Sequence, residues 1–302
     1  MEHVPCDLCG ADDAVVKLSL TDLLARTTDM SFALVQCRHC GLLYIDPRPA
    51  PSEMGRFYPE SYAPFARRGL AAHVRAWTYH RDVAALGPLL KPPARVLDLG
   101  CGTGELLQTV RVVGNPNVVG IEPSATAARA ARERFGLPVI EGTLEDAQLP
   151  ASSIDIALLS HVIEHLPSPS ATLDELARVL TPTGKLVLWL PNADSFAARL
   201  LGPYWMGYDP PRHLYTFSVQ TLGDLLTRHG FVIRQVQHEW LGLEWSWGLR
   251  LWARAHGAGC RTERALALLH PALTAAGTPV AGAAAAAGHS GRVRVVAARR
   301  IG

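Results

Sequence analysis

Apolar residues follow two different spacings along most of the chain. Short continuous apolar runs predict buried strands, and apolar positions at helical spacing separate the early runs, as at Ala125–Phe135 and Ala171–Leu180. The predicted strands are Arg95–Leu99, Val118–Glu122, Pro138–Glu141, Ile154–Ser160, Lys185–Pro191, Phe231–His238 and Arg292–Ala298. Strands and helices in alternation predict an α/β fold with a mainly parallel sheet that is covered on both faces.

The remaining segments divide the chain into further parts. Helical spacing from Leu70 to Leu90 ends before Pro92-Pro93, and a proline-rich connection precedes it. That connection carries the aromatic residues Phe57, Tyr58, Tyr62 and Phe65. We therefore predict a cysteine-containing segment at 1–50, a linker and N-terminal helix at 51–91, and an α/β domain at 92–302 with a helical insertion at 241–288.

Four of the six cysteines form a duplicated C-x-x-C-G pattern, Cys6-Asp-Leu-Cys9-Gly10 and Cys37-Arg-His-Cys40-Gly41. Each half places two thiolates on a tight turn, and the glycine supplies the permissive backbone that the turn needs. Four thiolates can close a tetrahedral zinc site that stabilises a segment too short to build its own core. Such a site is structural because it leaves no position open for a substrate. Unrelated buried thiols and a redox C-x-x-C are the alternatives.

Composition and charge narrow the function classes. The 302 residues are 48% apolar and 19% charged, which suits a globular protein, and the net charge of +2 gives no general reason to expect nucleic acid as a partner. No N-terminal stretch resembles an export signal, so we expect a cytoplasmic, reducing location in which paired cysteines favour metal over disulfide. The apolar stretch 265–288 contains His270, Pro271, Gly277, Pro279 and Gly282, and we expect these to interrupt it, leaving no membrane span.

A glycine-rich turn follows the first predicted strand of the α/β domain. Gly100, Gly102 and Gly104 give the spacing G-x-G-x-G, whereas dinucleotide sites use G-x-G-x-x-G. In doubly wound sheets ligands bind beyond the carboxyl ends of the strands, where this turn would lie. The glycines let the backbone approach a ligand closely, and the following helix presents free amides.

This run, from Val96 to Gly104, resembles the first motif of class I S-adenosylmethionine (SAM)-dependent methyltransferases, and Gly120-Ile121-Glu122-Pro123-Ser124 fits the next motif of that family. The resemblance covers about residues 92–300 and implies a Rossmann-like sheet of seven strands that ends in a hairpin-like pair. It also implies SAM as cofactor, with Asp98 near the methionine ammonium, Gly100 behind the cofactor and Glu122 on the ribose hydroxyls. The predicted cofactor-binding residues are Asp98, Gly100, Gly102, Gly104, Glu122, Leu144, Glu145 and Ser160, of which Leu144 and Glu145 are candidates for the adenine.

Methyl transfer from a sulfonium is an in-line displacement, so the protein chiefly positions the acceptor and removes its proton. Ser160-His161-Val162-Ile163-Glu164-His165-Leu166-Pro167 supplies suitable groups after the fourth strand. It resembles the V-I-E-H-L-P run of the branch that contains quinone-biosynthesis O-methyltransferases and sugar C-methyltransferases. In some relatives the pattern E-x-x-E-H and a later histidine hold a divalent ion. In this chain His161 stands in place of the first glutamate, and His213 is the later histidine. The predicted catalytic residues are therefore His161, Glu164, His165 and His213.

These four residues leave three interpretations open. They form a second metal site, which would suit zinc, iron, cobalt or manganese better than magnesium because histidines outnumber carboxylates. Alternatively His165 or His213 acts as a general base without metal, or Glu164 and His165 only shape a turn.

The leading functional prediction is transfer of a methyl group from SAM to a hydroxyl oxygen of a small molecule, such as a natural-product, glycan or quinone-like intermediate. Carbon methylation, as in the sugar C-methyltransferases that also begin with a cysteine-rich segment, is the alternative. Two further classes are an RNA 3′-end methyltransferase and a SAM-binding protein without methyltransferase activity. Trp205, Tyr208 and Tyr215 either line a pocket for a hydrophobic or carrier-linked acceptor or belong to the core. The insertion at 241–288 either packs as a lid or as the face of a homodimer, or it forms a pocket for a hydrophobic or carrier-linked acceptor.

Overall fold

The computed structural model describes residues 1–59 and 70–300, so Tyr62 and Phe65 of the aromatic connection lie outside the described residues. The described strands are β1 (Ala14–Thr21), β2 (Ser31–Cys37), β3 (Leu43–Ile45), β4 (Val96–Leu99), β5 (Val118–Glu122), β6 (Val139–Glu141), β7 (Ile154–Ser160), β8 (Leu180–Pro191), β9 (Tyr215–Thr216), β10 (Phe231–His238) and β11 (Arg292–Arg299). The described helices are α1 (Leu70–Leu90), α2 (Glu105–Val112), α3 (Ala125–Phe135), α4 (Pro169–Val179), α5 (Phe196–Leu201), α6 (Val219–Arg228), α7 (Leu243–Ala255) and α8 (Cys260–Ala286). Short 3₁₀ turns occur at Pro51–Phe57, Ile163–His165 and Gly202–Tyr204.

The larger sheet has seven strands in the order β10-β11-β8-β7-β4-β5-β6. Five neighbouring strands, β8, β7, β4, β5 and β6, run parallel to one another. Strand β11 is antiparallel to both of its neighbours, β8 and β10. Central strands are buried on both faces because helices cover the sheet from both sides, as Leu97 and Leu158 illustrate. The predicted Rossmann-like sheet of seven strands and its closing hairpin are confirmed.

A second sheet, absent from the prediction, joins the N-terminal segment to the α/β domain. Its four strands have the order β1-β2-β3-β9, and β9 is contributed by the chain far beyond residue 50, with Tyr44 opposite Tyr215. Cys6 and Leu8 pack in the same apolar cluster as Leu159 of the larger sheet. The two sheets therefore share one core, while the division at residue 50 stays a prediction.

Tyr215 and two further aromatic residues considered for the acceptor pocket are buried in the structure. Trp205, Tyr208 and Tyr215 are all at most 7% exposed and pack in the apolar clusters, and Trp205 and Tyr208 meet edge to face. These three side chains therefore belong to the core, which was the second of the two interpretations.

The insertion forms a helical hairpin of α7 and α8. The helix α8 continues through Pro271 and Pro279, so these prolines do not end it. Close packing on α7 supports it: a Cβ on Gly277 would lie 2.7 Å from Trp245 Cδ1. Within the described residues, α8 is the one helix long and apolar enough to cross a membrane by length and composition.

Candidate active site

The glycine turn connects β4 to α2 at the carboxyl edge of the larger sheet. Gly100, Gly102 and Gly104 adopt φ values of +67°, +55° and +83°, which side chains with a Cβ rarely tolerate. A Cβ on Gly100 would lie 2.7 Å from Val162 Cγ2, and one on Gly104 would lie 2.6 Å from Leu137 Cδ1. Glycine is therefore required at these two positions by backbone angle and by space.

Two buried carboxylates flank this turn. Asp98 is 1% exposed and its Oδ2 has no hydrogen-bond partner. Burial, followed by the nearby Glu122 carboxylate, raises the pKa of Asp98 well above its usual value. Glu122 accepts hydrogen bonds from the amides of Gly102 (2.8 Å) and Ser124 (2.9 Å), although burial still raises its pKa. A buried carboxylate oxygen without a donor is costly, so this site suits a ligand that brings an ammonium group or hydroxyl donors.

The remaining cofactor candidates lie around the same edge of the sheet. Ser160 ends β7 and is partly buried. Leu144 is 2% exposed and packs in the main core cluster, so its side chain is committed to the interior. Glu145, the next residue, is exposed. The roles of these three residues in cofactor binding stay predictions.

Glu164, His165 and His213 come together beside the turn, and we call them the acid–imidazole cluster. One ligand atom from each lies within 4.8 Å of the others, and the two imidazole rings meet edge to face with centroids 4.6 Å apart. His165 Nδ1 lies 2.9 Å from the Arg212 carbonyl oxygen, and His213 Nδ1 lies 2.8 Å from that of Gly207. If each Nδ1 carries the proton and donates it to its carbonyl, each Nε2 is left as an acceptor.

Tyr58, from the aromatic connection, also reaches this cluster. Its hydroxyl lies 3.0 Å from His165 Nδ1. Burial and the negative charge of Asp209 raise the pKa of this phenol, so it stays protonated over the neutral range. The connection therefore contributes a polar aromatic residue to the cluster, whereas the neighbouring Phe57 is buried in the core.

Glu164 is the buried acid of the cluster, at 1% exposure, and its Oε2 has no hydrogen-bond partner among the described residues. Burial alone would raise its pKa, but the contact of Oε1 with His161 Nδ1 at 3.1 Å and the imidazole charges lower it to about 2. Burial and the neighbouring His213 lower the pKa of His165 to about 4. Glu164 is thus anionic and His165 neutral at neutral pH.

His161, the fourth predicted member, is placed differently. Among the described residues, the ligand atoms that lie close together belong to Glu164, His165 and His213, and His161 is not one of them. Its side chain is 38% exposed, and its ring contacts the Glu164 carboxylate. It is positioned to support the acid rather than to complete the set of ligands.

A buried ion cluster beside His213 was missed by sequence reasoning. Arg212 is completely buried and pairs with Asp22 (2.6 Å) and Asp209 (2.5 Å). The pairing with Asp209 has a sequence signal, since opposite charges three residues apart flank Pro210-Pro211. The pairing with Asp22 has none, because 190 positions separate the two residues.

The four cysteines of the duplicated pattern meet at one point. Cys6 Sγ lies 3.4 Å from Cys40 Sγ, and Cys9 Sγ lies 3.5 Å from Cys37 Sγ. Burial opposes the thiolate form, yet the backbone amides of Cys40 and His39 lower the pKa of Cys37 to about 7. Gly10 and Gly41 have φ values of +75° and +79°, as the turns require. The donor set and its compactness fit a tetrahedral zinc ion.

Fold and site together define a Rossmann-like protein with a glycine turn between β4 and α2, two buried carboxylates flanking that turn and an acid–imidazole cluster beside it. The family model described as "Methyltransferase domain" matches residues 70–236, which is more than half of the chain. The chain therefore belongs to this methyltransferase family, and the resemblance to class I SAM-dependent methyltransferases is confirmed.

Individual relatives agree with this assignment. The chain is 33% identical over 141 residues to a ubiquinone biosynthesis O-methyltransferase of Rhodopseudomonas palustris, covering 45% of this chain and 55% of that protein. It is 28% identical over 214 residues to the protein of the same name from Cereibacter sphaeroides, covering 65% and 83%. The chain spans about half the length of the first curated relatives it matches.

Solved structures show the same fold. A SAM-dependent methyltransferase from Archaeoglobus fulgidus matches with a TM-score of 0.51 and 18% identity, covering 74% of this chain and 94% of that one. At this level of identity, the likeness supports the fold of the chain and nothing more specific.

Proposed function

We propose that the chain transfers a methyl group from SAM to a hydroxyl oxygen of a small molecule, of the natural-product, glycan or quinone-like kind. One observation carries this proposal. Val162, which packs against Gly100 of the cofactor turn, lies within the same short segment as Glu164 and His165. A donor bound at the turn and an acceptor bound at the cluster would therefore be neighbours. The similarity to quinone-biosynthesis O-methyltransferases supports oxygen as the accepting atom.

The chain's residues have distinct tasks in this reaction. Asp98 and Glu122 would hold the ammonium and ribose groups of SAM, and the glycine turn would support its body. As the bond from the methyl carbon to the acceptor oxygen forms, the bond from that carbon to sulfur breaks and its electron pair stays on sulfur, giving S-adenosylhomocysteine. The acceptor's hydroxyl proton must leave, and the cluster is placed to promote its loss.

The cluster residues fit a divalent metal ion. Each imidazole has Nδ1 beside a backbone carbonyl, which is the usual arrangement of metal-binding histidines, and Glu164 Oε2 is buried without a partner. Glu164, His165 and His213 would hold the ion, which would supply a Lewis acid that makes the acceptor hydroxyl easier to deprotonate. A pKa of about 4 makes His165 a weak base, which favours ligation over proton abstraction for this residue.

The test combines product analysis with metal analysis. Methyl-labelled SAM is incubated with catechols, hydroquinones and glycosides, and we expect S-adenosylhomocysteine together with an O-methyl product. We also expect about two metal ions per chain in the wild type, one at the four cysteines and one at the cluster, and about one in His213→Gln.

Three outcomes would contradict parts of this proposal. Tight SAM binding without S-adenosylhomocysteine from any acceptor would refute methyl transfer and favour a SAM-binding protein without that activity. A product methylated on carbon would move the chain to the sugar-type alternative. If the wild type and His213→Gln both bound one metal ion per chain, the cluster would hold no ion, and His213 or His165 would act as the base.

A further inference from the structure

The N-terminal segment 1–50, which we call the four-cysteine segment, contacts both stretches of chain that carry the acid–imidazole cluster. The first contact starts inside the metal-binding turn itself. Asp7, between Cys6 and Cys9, accepts hydrogen bonds from the hydroxyl of Ser168 and the amide of Ser170, both at 2.9 Å. These serines begin α4 just after His165. The turn that carries two of the thiolates is thus bonded to the segment that carries Glu164 and His165.

The second contact passes through the backbone of Leu214, the residue after His213. The amide of Leu214 donates to the carbonyl of Glu164 at 2.8 Å, and the carbonyl of Leu214 accepts from the amide of Ile45 at 2.9 Å. Ile45 ends β3 of the smaller sheet. The strand that follows His213 is therefore held between the cluster on one side and the four-cysteine segment on the other.

The third contact is the buried ion pair of Asp22 with Arg212. Both carboxylate oxygens of Asp22 accept from the Arg212 guanidinium, at 2.6 and 3.1 Å, and both side chains are completely buried. Thr27 donates to the same carboxylate through its amide and its hydroxyl, which fixes the carboxylate in place. The Arg212 carbonyl is the group that contacts His165 Nδ1, and His213 is the next residue.

The cofactor turn lacks such support. Within the described residues, no hydrogen bond joins positions 98–104 to positions 1–50; the turn is bonded to Ile121 and Glu122 of β5 instead. The two halves of the site therefore depend on different parts of the chain.

We propose that the four-cysteine segment positions the acid–imidazole cluster, and that Asp22, acting through Arg212, is the positioning residue for His165 and His213. The inference rests on the proposed function for its effect on turnover, but the placement of the two imidazoles can be measured without it. In this proposal the four-cysteine segment contributes no reacting atom, and loss of its contacts nevertheless impairs the acceptor half of the site while leaving the cofactor half intact.

The test compares two variants of the four-cysteine segment in the full chain. Asp22→Asn keeps the shape of the side chain and removes its charge from Arg212. Leu34→Ala is the control: it opens a cavity in the core of the smaller sheet and removes no partner of Arg212. Both are studied well below their own melting temperatures, so that loss of folded protein is excluded.

For Asp22→Asn we expect kcat to fall about 10- to 100-fold, because a displacement of about 1 Å costs that much in a positioned reaction, while the Kd for SAM changes less than about twofold. The imidazole nitrogen resonances of His165 should shift from a single Nδ1–H tautomer towards a mixture as the Arg212 carbonyl moves. Leu34→Ala should leave kcat and these resonances close to wild type.

Unchanged kcat and unchanged His165 resonances in Asp22→Asn would overturn the proposal. Equal losses in Asp22→Asn and Leu34→Ala would also overturn it, because the segment would then act only through overall stability. If the wild type shows no methyl transfer, the proposed function fails alone, and the His165 resonances and SAM affinity still decide whether Asp22 positions the cluster.

Discussion

The proposed cofactor half and the proposed acceptor half of the site are built in opposite ways. The cofactor half consists of the continuous run 98–104 and of Glu122, on the neighbouring strand β5. The acceptor half takes Glu164 and His165 from the end of β7, His213 from a distant loop and Tyr58 from the connection that precedes the domain. A local motif can bind a cofactor that many enzymes share, whereas the acceptor half depends on long-range packing and can differ between relatives.

The two halves also differ in their electrostatics. Burial raises the pKa of Asp98 and Glu122, and Asp98 Oδ2 has no donor in the described structure. Glu164 is as deeply buried, yet the hydrogen bond from His161 and the imidazole charges keep its pKa at about 2. The cofactor half therefore gains from the positive charge of a ligand. In the acceptor half, one oxygen of Glu164 is already partnered by His161, and Oε2 is left without a donor among the described residues.

The largest expected effect comes from a change in the acceptor half, which should alter turnover without altering SAM binding. We expect His165→Gln to lower kcat about 1,000-fold, because the change removes a cluster imidazole, while the Kd for SAM stays within about twofold. Steady-state kinetics and calorimetric titration with SAM measure the two quantities. His229→Gln is the control, since His229 pairs with Asp174 instead of the cluster. A comparable loss of SAM affinity in His165→Gln would show that the halves are not separable.

A smaller effect is expected from the cofactor side. Gly100→Ala should weaken SAM binding about 100-fold, because the new methyl group would lie 2.7 Å from Val162 Cγ2. Gly136→Ala is matched to it, with a φ of +60° and no atom within 4 Å of the added methyl, and should cost only about 1 kcal/mol of stability with normal SAM affinity. Equal effects of the two changes on the Kd for SAM would mean that backbone strain, not contact with Val162, requires glycine at position 100.

The smallest expected effect tests the electrostatic contrast through pH. Burial alone would raise the pKa of Asp22, but its bonds from Arg212 and Thr27 lower it to about 2. A lowered pKa stabilises the fold above the unfolded value near 4, and this contribution of about 2 kcal/mol is lost as the pH falls towards 2. The stability gap between wild type and Asp22→Asn should narrow by that amount in urea unfolding between pH 5 and pH 2.

For Glu122→Gln we expect the stability difference from the wild type to change with pH in the opposite direction. Because the pKa of Glu122 is raised in the folded protein, the wild type should lose stability relative to Glu122→Gln as the pH rises through that pKa. If the stability difference from the wild type changed in the same direction with pH for Asp22→Asn and Glu122→Gln, the electrostatic contrast between the two halves would be contradicted.

Sequence patterns located the larger sheet closely because its central strands are continuous apolar runs buried on both faces. Val118–Glu122, Ile154–Ser160 and Phe231–His238 were predicted to the residue, whereas β8 begins earlier than expected because Leu180 already pairs with Ile154. The smaller sheet was missed because β1 shows no regular alternation, with Val16 63% exposed, and because β9 is only two residues long. The insertion was predicted to be helical, but the sequence did not show that α8 would continue through Pro271 and Pro279.

The sequence by itself determined the glycine turn, the acid at the end of β5, the duplicated cysteine pairs and the Rossmann-like order of strands. Each of these depends on neighbouring residues or on a repeating pattern, so local chemistry fixes it. The grouping of Glu164, His165 and His213 was expected from the resemblance. The tertiary structure alone left His161 outside that group, brought Tyr58 to His165 and paired Asp22 with Arg212 across the molecule. These contacts join positions far apart in the chain, and only the packing of the two sheets against each other brings them within bonding distance.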